Sequence, residues 1–168
     1  MQKRIEHIIS KLELTPHPEG GYFKETYRST GIIPQNILDG DFSGGRNYST
    51  GIYFLLTAGN FSAFHRIKQD EMWHFYEGDP LVVHMIFPDG AYQFQKIGLN
   101  FENGELPQFV VPKGIWFASE VVDGGQFSLV GCTVSPGFDF EDFELVDRKE
   151  LANQYPECSE IIERLTRD

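Results

Sequence analysis

Between residues 50 and 135 the chain breaks into short apolar or alternating runs, at 50–57, 62–67, 72–76, 81–87, 92–97, 109–111, 116–122 and 127–135. Glycine-bearing turns separate them: Gly59-Asn60, Gly78-Asp79-Pro80, Asp89-Gly90, Asn103-Gly104, Lys113-Gly114 and Asp123-Gly124-Gly125. Asp-Gly and Asn-Gly suit two-residue hairpins, because both central positions need positive φ. Strands recurring about every ten residues, with no helical pattern between them to serve as a parallel crossover, predict an all-β sandwich or barrel. Fifteen Phe, seven Tyr and seventeen Gly in 168 residues agree with β structure rather than a helical bundle.

Helical periodicity is confined to the ends. Ile5, Ile8, Ile9 and Leu12 share one face of a predicted amphipathic helix over 2–13, which Pro16 and Pro18 follow. A strand is predicted at 21–27 and further helix at 148–154 and 156–165, the latter with Ile161, Ile162 and Leu165 on one face. The polar stretch 29–47 exceeds the usual length of a structureless connection and is predicted to be a lid or a dimer contact. No linker or repeat divides the sequence, so one domain over 1–168 is expected.

A net charge of −11 with scattered cations opposes nucleic-acid binding. The N-terminus is charged, and no apolar run approaches the ~20 residues of a membrane span. A cytoplasmic protein with no membrane partner is the expectation. Cys132, in an apolar strand pattern, and Cys158, in a polar tail, form no CxxC pair, and Cys132 reads as a small buried hydrophobe. Nucleophile elbows, Walker loops and dinucleotide-binding glycine motifs are missing from the sequence.

The segment Gly59-x5-His65-x-Ile67-x3-Glu71-x6-Gly78 resembles the first signature motif of a cupin barrel, with Ile67 where that motif has a second histidine. Residues two apart on a strand share a face, so His65 and Ile67 are predicted to point inward. Glu71, Trp73 and Phe75 would also point inward, and Met72, His74 and Tyr76 outward, unless a bulge near Asp70 reverses the faces. An imidazole and a carboxylate meeting among aromatics make a proton-transfer pair, or else a buried hydrogen bond that satisfies two polar groups. Pro112-Lys113-Gly114-Ile115-Trp116-Phe117 resembles the second cupin motif, with Phe117 where metal-binding members carry their last histidine. His65 and Glu71 alone remain of the four usual ligands, too few to hold a transition metal firmly, and His74 or His84 are weak substitutes. No cofactor is expected.

Four further segments carry a closer resemblance. His17-Pro18-Glu19-Gly20-Gly21-Tyr22-Phe23-Lys24-Glu25-Thr26-Tyr27-Arg28-Ser29, Ser49-Thr50-Gly51-Ile52-Tyr53-Phe54-Leu55-Leu56, Asp70-Glu71-Met72-Trp73-His74-Phe75 and 136–145 together resemble the cupin_5 family. This is a family of RmlC-like cupins also called DUF985, and the likeness runs through nearly the whole chain. It implies a jelly-roll barrel, the cupin double-stranded β-helix, commonly dimeric and with an internal cavity, but no settled reaction. Likeness at the level of fold to deoxysugar epimerases and to storage cupins frames the functional expectations.

The first expectation is a metal-independent isomerase or epimerase acting on a small polar, sugar-type metabolite. His65 would abstract a proton, Glu71 or Asp70 would orient it, and Tyr53 would return the proton on the other face. The second is a non-catalytic ligand-binding or storage cupin, and the third a metal-dependent enzyme using an inward-turned His74 or His84. Ligand contacts are expected from Arg28, whose plainer role is an ion pair, from Ser49 and Thr50, and from Trp73, Trp116 and Phe117 as aromatic walls. The aromatics of 137–145 are expected to plug the barrel or a homodimer contact.

Overall fold

Strands begin and end where the turn dipeptides predict. The computed structural model describes residues 2–167. Helix α1 (Gln2–Leu12) leads into β1 (Thr15–Pro16), β2 (Tyr22–Arg28), β3 (Ile32–Ile33), β4 (Arg46–Asn47), β5 (Thr50–Thr57), β6 (Phe61–Arg66) and β7 (Asp70–Gly78). Next come β8 (Leu81–Ile86), β9 (Tyr92–Ile97), β10 (Gln108–Val111), β11 (Trp116–Val121), β12 (Phe127–Ser135) and β13 (Glu144–Leu145), and then α2 (Arg148–Gln154) and α3 (Ser159–Arg164).

A six-stranded antiparallel sheet, ordered β1-β2-β5-β12-β7-β10, faces a five-stranded one, ordered β13-β6-β11-β8-β9. Their inner faces enclose a core that includes Phe54, Trp73, Val83, Met85, Phe117 and Val130. This is the jelly roll of a cupin barrel, with helices at both ends of the chain. Within the polar stretch 29–47, read from the sequence as a loop, β3 and β4 pair as a short hairpin and a 3-10 turn spans Gln35–Ile37.

Helices also cover part of each sheet's outer face. Ile5 and Ile8 of α1 pack on Leu55, Phe127 and Leu129, each buried isoleucine contributing roughly 1.5–3 kcal/mol. The helix ends with Glu13 in the left-handed region (φ 54°) and the Leu14 amide on the Ile9 carbonyl at 2.9 Å, a Schellman-type closure. Against the other sheet, Leu151 of α2 and Ile162 of α3 cover Phe64, Ile86 and Trp116. The segment predicted as one helix over 156–165 opens instead with a 3-10 turn, Pro156–Cys158, where proline's missing N–H costs nothing.

The predicted faces of β7 hold through Phe75. Register slips between Leu129 and Val130 of β12, which pair with Glu77 and Phe75 and leave Tyr76 as the extra residue. The bulge therefore lies beyond Glu71 and Trp73, and both point inward.

Candidate functional site

Register brings the first motif's residues together. On β6, His65 lies directly opposite Phe117 of β11, with ring centroids 4.1 Å apart. Across the six-stranded sheet, Glu71 pairs with Val134 and Trp73 with Cys132, so the Glu71 carboxyl stands beside the Cys132 thiol. Glu19 arrives from outside the barrel strands. It precedes Gly20, whose φ of 119° and close approach to the Phe61 carbonyl leave no room for a Cβ.

The Glu19 Oε2 atom is 3.0 Å from His65 Nε2, and both residues are buried. His65 Nδ1 lies 2.7 Å from the Ala63 carbonyl, an acceptor only, so Nδ1 carries the hydrogen. One proton is then shared between Nε2 and the Glu19 carboxyl. Burial lowers the pKa of His65 and raises that of Glu19, which favours the uncharged arrangement with the proton on Glu19. Burial also pushes Glu71 up to about 7, with His65 opposing the shift and Glu19 adding to it. His17, 3.8 Å from Glu19 through Nδ1, is lowered by burial, and burial beside Glu71 raises the Cys132 thiol well above its ordinary value.

These groups line a cavity of about 210 Å³ with Phe23, Ile52, Ile67 and a rim of Phe138, Phe140 and Phe143. The aromatic segment 137–143 is tied down at several points. Thr50 Oγ1 accepts from the Phe138 amide at 2.9 Å, and Arg28 donates to the Phe138 carbonyl at 3.1 Å.

Several expected site residues stand elsewhere. Tyr53 faces outward from β5, its ring 6.0 Å from that of Tyr76, because Ile52 and Phe54 take the inner face. Asp70 is exposed and accepts from the Lys113 amide at 2.8 Å, closing a turn. Trp73 packs in the core on Phe54 and Phe117, whereas Trp116 lies beyond the other sheet beneath Arg66, so the two form no common wall. Phe117 is the floor beneath His65. Ser49 donates to the Val134 carbonyl at 3.1 Å, holding a strand end, while Thr50 both lines the cavity and holds the rim. Arg28 lines the cavity too, paired with Glu25 at 2.7 Å.

His74 bonds Thr133 on the outer face of its sheet at 2.9 Å, and His84 bonds Tyr92 at 2.8 Å and Glu120 at 3.1 Å on the outside of the other. Neither turns inward. At the two remaining ligand positions Ile67 and Phe117 are 3% and 1% exposed and supply hydrocarbon. No group of three His, Cys, Asp or Glu among the described residues is arranged to hold a metal ion. The donor set does not fit the metal centre that the cupin motifs can carry. Among the described residues, no helix is long and apolar enough to cross a membrane.

The sequence reading missed Glu19 and His17 as site residues and took Cys132 only as a core hydrophobe. Their available signal was the polar His17-Pro18-Glu19 run placed just before a double glycine, where the backbone makes a close approach.

Two rolled antiparallel sheets, with a histidine on β6 and a glutamate on β7 turned into the cavity between them, define a cupin barrel. Residues 6–146 match Cupin_5, described as Cupin superfamily (DUF985), and the chain belongs to that family. The uncharacterized protein YML079W of Saccharomyces cerevisiae is 35% identical over 147 residues, which is 82% of this chain and 73% of the yeast protein. A hypothetical protein from Leishmania major superposes with a TM-score of 0.88 at 36% identity, covering 97% of this chain and 98% of its own. Protein SO0799 from Shewanella oneidensis gives 0.85 at 43% identity, covering 96% of each chain. Oxalate decarboxylase from Bacillus subtilis shares the fold alone, with a TM-score of 0.55 at 14% identity over 94% of this chain and 37% of the enzyme.

Proposed function

We propose that this protein binds a small polar, sugar-type metabolite in the barrel and moves a proton between carbons next to its carbonyl, as an isomerase or epimerase does. One observation carries the reading: the Glu19 carboxyl and His65 Nε2 lie 3.0 Å apart inside a cavity that Glu71 also lines. As the shared proton passes to His65 Nε2, the Glu19 carboxylate takes the proton from the carbon next to the carbonyl, leaving an enolate. It returns that proton to the same carbon or, while a hydroxyl proton crosses between the two oxygens, to the former carbonyl carbon, with no oxidant required. Glu71 accepts a hydrogen bond from the substrate, and the surrounding hydrocarbon keeps water from competing. With both ring nitrogens engaged, His65 holds the relayed proton rather than meeting the substrate carbon, Glu19 replaces Asp70 as its partner, and Tyr53, turned outward, has no part.

Incubation in D2O with a panel of small aldoses, ketoses and their amino derivatives tests this by proton NMR. Exchange of the hydrogen next to the carbonyl, lost in His65→Asn, is the expected result. Binding without exchange across the panel would leave the storage-type reading, which the apolar rim of Phe138, Phe140 and Phe143 favours.

The reading extends to a homodimer working in the cytoplasm. Met72, Tyr76 and Val110 leave apolar surface exposed on the outer face of the six-stranded sheet, which supports self-association. Sedimentation at several concentrations checks it.

A further inference from the structure

The cavity that holds the proton carrier also has a charge preference, and the substrate class inferred from it rests on the proton-shift function proposed for the same site. Glu19, Glu25, Glu71 and Asp139 line it, against one guanidinium, that of Arg28. Arg28 is already engaged: its Nε and one terminal nitrogen meet Glu25 at 3.0 and 2.7 Å, and the other terminal nitrogen meets Asn47 at 2.8 Å. Glu19 is satisfied by His65.

Glu71 is the exception. It is more than nine-tenths buried and lines the cavity, and among the described residues the only side chain hydrogen-bonded to it is the weakly donating Cys132 thiol. A buried carboxyl without an N–H donor is an acceptor waiting for one.

The rim supplies a second requirement. Phe138, Phe140 and Phe143 stand at centroid separations of 5.0, 6.3 and 6.0 Å with interplanar angles of 81°, 69° and 76°. Phe140 also stacks on His17 at 6.1 Å and Phe143 tilts against His65 at 5.2 Å, but half of the Phe140 ring stays exposed, and an open π face attracts a cation. A neutral hydroxyl would satisfy Glu71 but gain little from the rings, and an anion would meet Asp139 and the ionised fraction of Glu71 with the Arg28 guanidinium already paired. A protonated amine satisfies both.

We propose that the metabolite carries a protonated amine, as an amino sugar or a comparably small amino-carbonyl compound does, with the ammonium group hydrogen-bonded to Glu71 and flanked by the phenylalanine rim. The proton shift stays with Glu19 and His65, so binding preference and turnover reside in different side chains.

Saturation-transfer and titration NMR with matched pairs, glucosamine against glucose and benzylamine against benzyl alcohol, tests the assignment at neutral pH. The amine of each pair is expected to bind at least about tenfold more tightly. Glu71→Gln should abolish that preference, bringing each amine down to the affinity of its hydroxyl partner in the same variant. Phe140→Leu, at a half-exposed ring whose replacement leaves the core untouched, should cost about two- to fivefold for the amines alone. Equal binding within both pairs, no binding of either amine, or a preference that survives both substitutions would each overturn the proposal. If Glu71→Gln fails to fold, Phe140→Leu decides. Absence of carbon-bound hydrogen exchange would remove the isomerase reading and leave the amine preference standing. Exchange on neutral sugars without an amine preference would do the reverse.

Discussion

Arg46 of β4 and Asp142 of the turn after β12 form a buried bidentate ion pair, 2.7 Å from Nε to Oδ2 and 2.8 Å from Nη2 to Oδ1. Their side chains are 4% and 0% exposed, and Gln69 adds a third donor to Asp142 at 2.7 Å. The pair clamps the rim segment that carries Phe140 and Phe143 to the hairpin segment beside the barrel. Removing one partner leaves the other buried with only a looser counter-charge, Lys68 or Glu141 at 3.8 Å, so Arg46→Met or Asp142→Asn is expected to lower stability by up to about 3–5 kcal/mol in urea unfolding. Hydrogen exchange should quicken across 137–143 while the β5–β12 ladder stays protected. Uniform acceleration through the barrel would contradict a local clamp.

Loss of the shared proton should disable chemistry without disturbing the fold. His65→Asn and Glu19→Gln are each expected to lower solvent exchange of substrate hydrogen by about 10²–10⁴-fold. Thermal melting verifies folding in both, and the double variant should be little worse than either single one because the two groups act as a unit. Independent, multiplying effects would separate Glu19 from His65.

Glu71 also predicts a pH signature in stability. Its pKa rises from 4.5 to about 7 on folding, so between these values the folded chain holds the proton more often than the unfolded one. The associated stability is complete below about pH 4.5 and is lost as pH rises through about 7, by roughly 3 kcal/mol at 1.36 kcal/mol per unit. His17 and His65, lowered by burial, act in the opposite sense, their contribution being present above 6.5 and lost as pH falls. Glu71→Gln isolates the carboxyl from those histidines and from the neighbouring Glu19 and Cys132. The variant should exceed the wild type in stability at pH 8 and converge with it towards pH 5. A difference that stays flat over that range would refute the account.

The apolar pair at the lost ligand positions makes a converse prediction. Ile67→His combined with Phe117→His restores four donors around one centre, with His65 and Glu71. This double variant is expected to retain stoichiometric zinc through gel filtration while the parent chain loses it, as elemental analysis would record. Equal retention by both would mean that the native donors suffice.

The sequence made the inner face of β7 legible because its outer face is partly polar: Glu71, Trp73 and Phe75 alternate with Met72, His74 and Tyr76. In β5 the same reasoning fails. Leu55 and Tyr53 pack outward under α1 and Phe54 and Leu56 pack inward, so both faces are apolar and alternation cannot say which tyrosine sees the cavity. Trp116 misleads for the same reason, since α2 and α3 make the outside of β11 as dry as its inside. Glu19 reaches His65 across 46 positions of chain, a pairing that no local period encodes. The turn glycines were readable because each answers to its own φ, as Gly78 does at 102°.

Hydrocarbon at positions 67 and 117 alters what governs the interior's electrical state. A site organised by a cation exists in two conditions, loaded or empty, set by how much of that cation is supplied. Here the charge follows the occupancy of a few protons on Glu19, His65 and Glu71, with Glu71 half-titrated near neutrality. Ambient acidity therefore sets the charge on Glu71 by degrees, where a bound cation would have set it in a single step.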